Sequence, residues 1–144
     1  MPVITTVSEV IALYAAAGLL GAMVFFPIVV APTVFSSLPA ETAGRFLRAL
    51  FPAYYAFVAA SAGLCAVALM LIGESWSIAG WAIALSTLGV RQVLVPQINA
   101  WRDAELEGEA GAKEKFDTGH KISVLINLVQ ILLAVGLVYV AGTL

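Results

Sequence analysis

The sequence predicts an all-α integral membrane protein: an antiparallel four-helix bundle with a short cytoplasmic amphipathic helix between helices one and two. Three observations carry this. Of the 144 residues, 62% are hydrophobic and 11% charged, with a mean hydropathy of +1.01, where a soluble domain carries about 25% charged residues. Four stretches reach the roughly 20 residues that a helix needs to cross about 30 Å of hydrocarbon, and a helix satisfies its own backbone there. All seven Lys and Arg side chains fall on one side of such a plan. One membrane domain, residues 1–144, is the expectation at this length.

Helix one is expected from Ser8 to about Val30, with Ser8 as N-cap and Pro27 and Pro32 marking a kinked or broken end. A secretory signal is disfavoured. No Lys or Arg precedes the segment, and the uncharged run from Val10 to Leu38 exceeds the about 7 to 15 apolar residues of a signal's core. The first helix is therefore read as mature. Next, Pro39 suits a helix start, and Ala43, Phe46, Leu47 and Leu50 recur at i, i+3, i+4, i+7 opposite Glu41, Arg45 and Arg48. That spacing predicts the short amphipathic surface helix. Two arginines fall short of the polybasic clusters used for lipid recognition, so a packed and solvated loop helix is its ordinary reading.

Helix two is expected over Phe51 to Ile72, closed by Gly73. Helix three runs from Trp76 to Val95, opened by the interfacial pair Trp76 and Trp81 and stopped by Pro96. Helix four covers 122–142. Ala17 with Gly21, Gly18 with Ala22, Ala59 with Gly63 and Ala62 with Ala66 are spaced for close helix approach, within the chain or between copies in a homo-oligomer. Orientation follows from the basic residues, because Lys and Arg in short loops resist translocation. They place a multi-pass protein in the cell (inner) membrane with both termini non-cytoplasmic.

Polar side chains gather at the cytoplasmic ends of helices three and four. His120, Ser123, Asn127 and Gln130 share one stripe of helix four, since their 3-4-3 spacing at about 100° per residue keeps them on one face. A lipid-facing amide is costly, so the stripe should point inward. Helix three offers Arg91, Gln92, Gln97, Asn99 and Arg102 around Pro96. If the two ends adjoin, Arg91, Gln92, Asn99, His120, Ser123 and Asn127 line a ligand-binding pocket open to the cytoplasm, with Arg91 as its fixed charge. The ordinary alternative is a snorkelling arginine beside interhelical amide hydrogen bonds.

Several chemistries lack their residues. One cysteine, Cys65, and one histidine, His120, cannot build a thiolate zinc site or a two-histidine metal site within the chain. His120 serves as a single axial haem ligand or, more ordinarily, as an interfacial hydrogen-bonding residue. The acidic run Asp103, Glu105, Glu107, Glu109 lacks a calcium-loop pattern, and a net charge of −2 gives no reason to expect nucleic acid. No phosphate-binding Gly motif or Ser-His-acid set is present. No cofactor is assigned, and the expected partners are the lipid bilayer and a second copy of the chain.

Four segments resemble a known family: the helix-one run ending in Phe25-Phe26 and Pro27, Leu38-Pro39 through Leu50-Phe51-Pro52, Arg91 to Asn99 with Pro96, and Phe116 through His120, Ser123 and Asn127. Together they are similar to the four-helix membrane proteins that resemble eukaryotic transmembrane protein 205, which bacteria carry as a domain of unknown function. The likeness spans nearly the whole chain and implies a fold and topology rather than an activity. More distantly, the plan looks like that of small membrane families connected with copper handling, haem synthesis and anthrone oxidation, an analogy of fold alone. The functional expectation is a binding or interaction module with a cytoplasm-facing polar pocket for a small amphiphile or partner. The alternative is a membrane oxidoreductase holding haem or quinone near Arg91 and His120.

Overall fold

The computed structural model describes residues 2–144, all helix and short turns. The elements are α1 (Pro2–Phe25), a wide π-turn (Phe26–Val30), α2 (Ala31–Ser37), α3 (Ala40–Leu71), α4 (Ser77–Gly89), a second π-turn (Val90–Leu94), α5 (Val95–Leu106) and α6 (Ala112–Ala141). They join end to end into four rods, and Val3–Ser37, Ala40–Leu71, Ser77–Leu106 and Ala112–Ala141 are each long and apolar enough to cross a membrane. At 1.5 Å per residue, a rod of 30 residues is about 45 Å long, so its ends project beyond the hydrocarbon.

The rods run past several boundaries expected from sequence. Pro2 opens the first helix, a position where its missing N–H costs nothing, and Ser8 is buried within that helix rather than capping it. The segment expected as a separate surface helix forms the first turns of α3, which continues through Pro52. Ala43 and Leu47, on its apolar stripe, are buried. Pro96 does not stop the third rod, and the fourth begins ten residues before Ile122. The physical reason is common to these cases. The change from charged to apolar residues marks the edge of the solvent, and the backbone helix continues across it.

The turns follow local chemistry. Gly73 takes φ 76 and Gly108 φ 84, conformations that cost a side-chain-free residue little. At the first, Glu74 N–H reaches Leu69 O (2.9 Å) and Gly73 N–H reaches Met70 O (3.1 Å), the paired bonds of a Schellman stop.

The core is built from small and branched side chains of all four rods, among them Ala12, Ala16, Leu19 and Met23 of α1, Val58, Ala62, Cys65 and Leu69 of α3, Ile83 of α4, and Ala134 and Leu137 of α6. Arg48 meets Asp103, Pro52 meets Arg91, and Ala62 and Ala66 meet Gly80, so residue numbers rise along one rod as they fall along its neighbour. Of the expected small-residue pairs, Ala62 and Ala66 make the close approach, against Gly80, where an added Cβ would lie 2.8 Å from Ala66 Cβ and 3.1 Å from Ala62 O. Gly18, Gly21 and Gly63 would meet nothing within 4 Å, so they are not points of close packing within the chain.

Candidate functional site

Three backbone irregularities converge at one level of the bundle, toward the end that carries the basic residues. In the π-turn before Pro32, Ala31 N–H bonds Phe26 O, five residues back instead of four. Before Pro96, Val95 N–H likewise bonds Val90 O. Widening a turn in this way lets the proline ring pass the preceding carbonyls without breaking the rod. Between them stands Pro52 of α3.

Side chains from all four rods meet there. Phe26 lies against Phe51 and Tyr54, with ring centroids 5.4 and 4.4 Å apart. Tyr55 packs on Phe51 (5.7 Å) and edge-on to Tyr54 (5.3 Å). Asn127 of α6 faces the Tyr54 side chain. Arg91, from the second π-turn, donates its Nε–H to Pro52 O at 3.2 Å.

Arg91 is half-buried, and among the described residues it forms no ion pair. Acids beyond Pro96 and at the start of α6 are engaged elsewhere. Asp103 takes a two-pronged contact from Arg48, Nη2 to Oδ1 at 2.7 Å and Nη1 to Oδ2 at 3.1 Å, while Asp117 faces Lys113 at 3.3 Å. Glu105 is paired with Arg102 at 2.6 Å. The positive charge at Arg91 therefore rests on one neutral carbonyl.

The other expected site residues divide. Gln92 is exposed beside Arg91. Asn99 is half-buried, and its carbonyl accepts Arg48 Nη2 at 3.4 Å. His120 is exposed and stacks on Phe116 of its own helix, centroids 6.1 Å apart and planes 9° from parallel, with Arg102 over the same Phe116 ring. Ser123 Oγ donates back to His120 O at 2.8 Å. The stripe on α6 thus has two halves: His120 and Ser123 bond within their own helix, while Asn127 and Gln130 reach across the bundle. Gln130 Nε2 donates to Ser86 Oγ at 2.8 Å and Thr87 Oγ1 at 3.1 Å.

Grooves mark the surface of the described residues. One of about 560 Å³ runs along the first rod by Ala17, Gly21, Val24 and Ile28; another, of about 350 Å³, is lined by Trp101, Glu114, Lys115 and Thr118. Neither is lined by Arg91 or His120. Among the described residues no three His, Cys, Asp or Glu side chains come together as a metal site would need.

Sequence reading missed the aromatic half of the site. Phe51, Tyr54 and Tyr55 stand at i, i+3, i+4 around Pro52, a helical face whose signal was present but reads as ordinary membrane helix until Phe26 and Asn127 are brought to it. A family model described as a domain of unknown function, DUF4149, matches residues 14–106. That span holds Arg91, Pro52 and the aromatic cluster and leaves out α6. No curated protein and no solved structure matches the chain.

Proposed function

Because the chain belongs to the DUF4149 family, a domain of unknown function, we propose a role from the site itself: a non-catalytic membrane binding module that holds the anionic or carbonyl-bearing end of an amphiphile at Arg91. The observation that carries the reading is the half-buried Arg91 guanidinium with a single carbonyl acceptor and no carboxylate. An arginine at membrane depth is costly without a partner, and a ligand oxygen supplies one. Gln92, with Tyr54 and Asn127 on the neighbouring rods, forms the polar and aromatic surround; Asn99, His120 and Ser123 stand in an outer position.

The setting proposed with it is an antiparallel bundle in the cell (inner) membrane, both termini non-cytoplasmic and the basic end toward the cytoplasm. The opposed residue pairings of the second and third rods support the first part, and the distribution of Lys and Arg the second. Kinship with proteins resembling transmembrane protein 205 is part of the same proposal, on the four segments that carry the likeness. The outward Ala17, Gly18 and Gly21 support self-association in the bilayer.

Thermal unfolding of the detergent-purified protein, titrated with lysophosphatidic acid or lysophosphatidylcholine, tests the reading. The anionic amphiphile should raise the transition temperature of the wild type, and Arg91→Gln should lose most of that rise while Arg91→Lys keeps part. Equal stabilisation of wild type and Arg91→Gln would overturn it. The oxidoreductase alternative asks His120 to ligate haem or approach a quinone, whereas its exposed ring stacked on Phe116 favours the binding reading. A Soret band abolished by His120→Ala would reverse that preference.

A further inference from the structure

The turn that carries Arg91 also bares hydrogen-bond acceptors. In a regular α-helix, Arg91 O would accept from the N–H of residue 95 and Gln92 O from that of residue 96. Here Val95 N–H goes to Val90 O, and Pro96 has no N–H. Two carbonyls of the turn that carries the Arg91 guanidinium thereby lose these donors, and the Nη groups of that guanidinium have no hydrogen-bond partner among the described residues. The exposed Gln92 amide, both donor and acceptor, adjoins them.

A bare anion fits only half of this arrangement. Its oxygens satisfy the guanidinium but face the carbonyl oxygens with nothing to donate. A group with O–H donors next to its negative charge satisfies both. The turn also opens sideways onto apolar surface: Val93 and Leu88 on the same rod are exposed, where acyl chains would lie. Counted from Trp76 at the other interface, Arg91 is about 22 Å along the rod at 1.5 Å per residue, within snorkelling reach of the headgroup layer of a core about 30 Å thick.

We propose that the Arg91 turn selects an anionic lipid with a hydroxylated headgroup, of the phosphatidylglycerol class. The phosphate sits on the Arg91 guanidinium, and the headgroup hydroxyls donate to the carbonyls of Arg91 and Gln92. This rests on the binding role proposed for Arg91 and adds the chemistry of the headgroup. The first π-turn serves as an internal control, because Pro32 bares carbonyls in the same way with no charged side chain beside them.

Native mass spectrometry of the full chain in micelles holding equal amounts of dioleoyl phosphatidylglycerol, phosphatidic acid and phosphatidylcholine reads the selection. The wild type should retain phosphatidylglycerol over phosphatidic acid by roughly threefold or more, the scale of one net hydrogen bond, and both over phosphatidylcholine. Pro96→Ala restores the missing N–H and should erase the preference for phosphatidylglycerol over phosphatidic acid while keeping that for anionic lipids. Pro32→Ala should leave both preferences as in the wild type. Arg91→Gln should lose the anionic preference.

Equal retention of phosphatidylglycerol and phosphatidic acid, with both lost in Arg91→Gln, would overturn the hydroxyl inference and leave the Arg91 reading standing. An anionic preference unchanged in Arg91→Gln would overturn both. Displacement of bound lipid by millimolar glycerol 3-phosphate would assign the site to a soluble polyol phosphate and overturn the lipid.

Discussion

Gln130 and Arg91 show how differently two polar residues at membrane depth are accommodated. Gln130 is 6% exposed and donates to two hydroxyls of the third rod, so its amide is answered within the chain. Gln130→Leu should therefore lower bundle stability by about 0.6 to 2 kcal/mol, the range for interhelical hydrogen bonds in lipid, read by denaturant titration in detergent micelles. No loss of stability would show that Ser86 and Thr87 find other partners as readily. Sequence alone placed this amide inward, because hydrocarbon offers it no water. The identity of its partners depends on the rotation of the third rod about its axis, which its polar pattern leaves open. Arg91 was legible as an interruption in an apolar helix, but its lack of a carboxylate was not. Asp103 lies twelve residues further along the same rod, about 18 Å at 1.5 Å per residue, and is held there by Arg48 of α3.

At the scale of elements, the close approach of α3 and α4 is set by one residue. At Gly80, the nearest atoms to an added Cβ include backbone, Ala66 Cα at 3.0 Å and Ala62 O at 3.1 Å, which cannot rotate aside. Gly80→Ala gains up to about 1 kcal/mol of helix propensity but forces the rods apart, an overpacking cost of about 1 to 3 kcal/mol. A net loss of stability is expected. Gly18→Ala, with open space around it, should be neutral or stabilising, and the same unfolding titration compares them; a stabilised Gly80→Ala would mean the rods slide without strain. Trp76 and Trp101 show why the sequence undercounted such contacts, since their rings lie over Gly136 and Gly119 of α6. A glycine facing a tryptophan on another rod has no partner at i+4 and leaves no periodic trace. Pro96, expected as a stop, is passed for a related reason. Proline disfavours a regular helix, but a π-turn admits it, and only the packing of Phe26 and Arg91 against the Pro52 region rewards that wider turn.

For the whole molecule, the proposed orientation makes the turn at residues 73–75 accessible from the non-cytoplasmic side. A cysteine placed at Ser75 in a Cys65→Ala background should react with a membrane-impermeant maleimide in intact cells. Labelling only after the cytoplasmic face is opened would reverse the topology. What the sequence by itself determined was the all-helical, four-span character of the chain, because the cost of unpaired backbone in lipid and the length of a helical crossing act locally, on composition and run length. It also determined the segregation of the Lys and Arg side chains to one end and the inward sense of Gln130. Only the tertiary structure decided that the rods continue past their apolar cores, that Asp103 belongs to Arg48, and that His120 stacks on its own helix. It also decided that two π-turns and Pro52 meet at one level around Tyr54 and Arg91. These outcomes depend on the relative rotation and register of the rods, which are fixed by packing between residues distant in the chain, and hydropathy along a single helix carries no record of them.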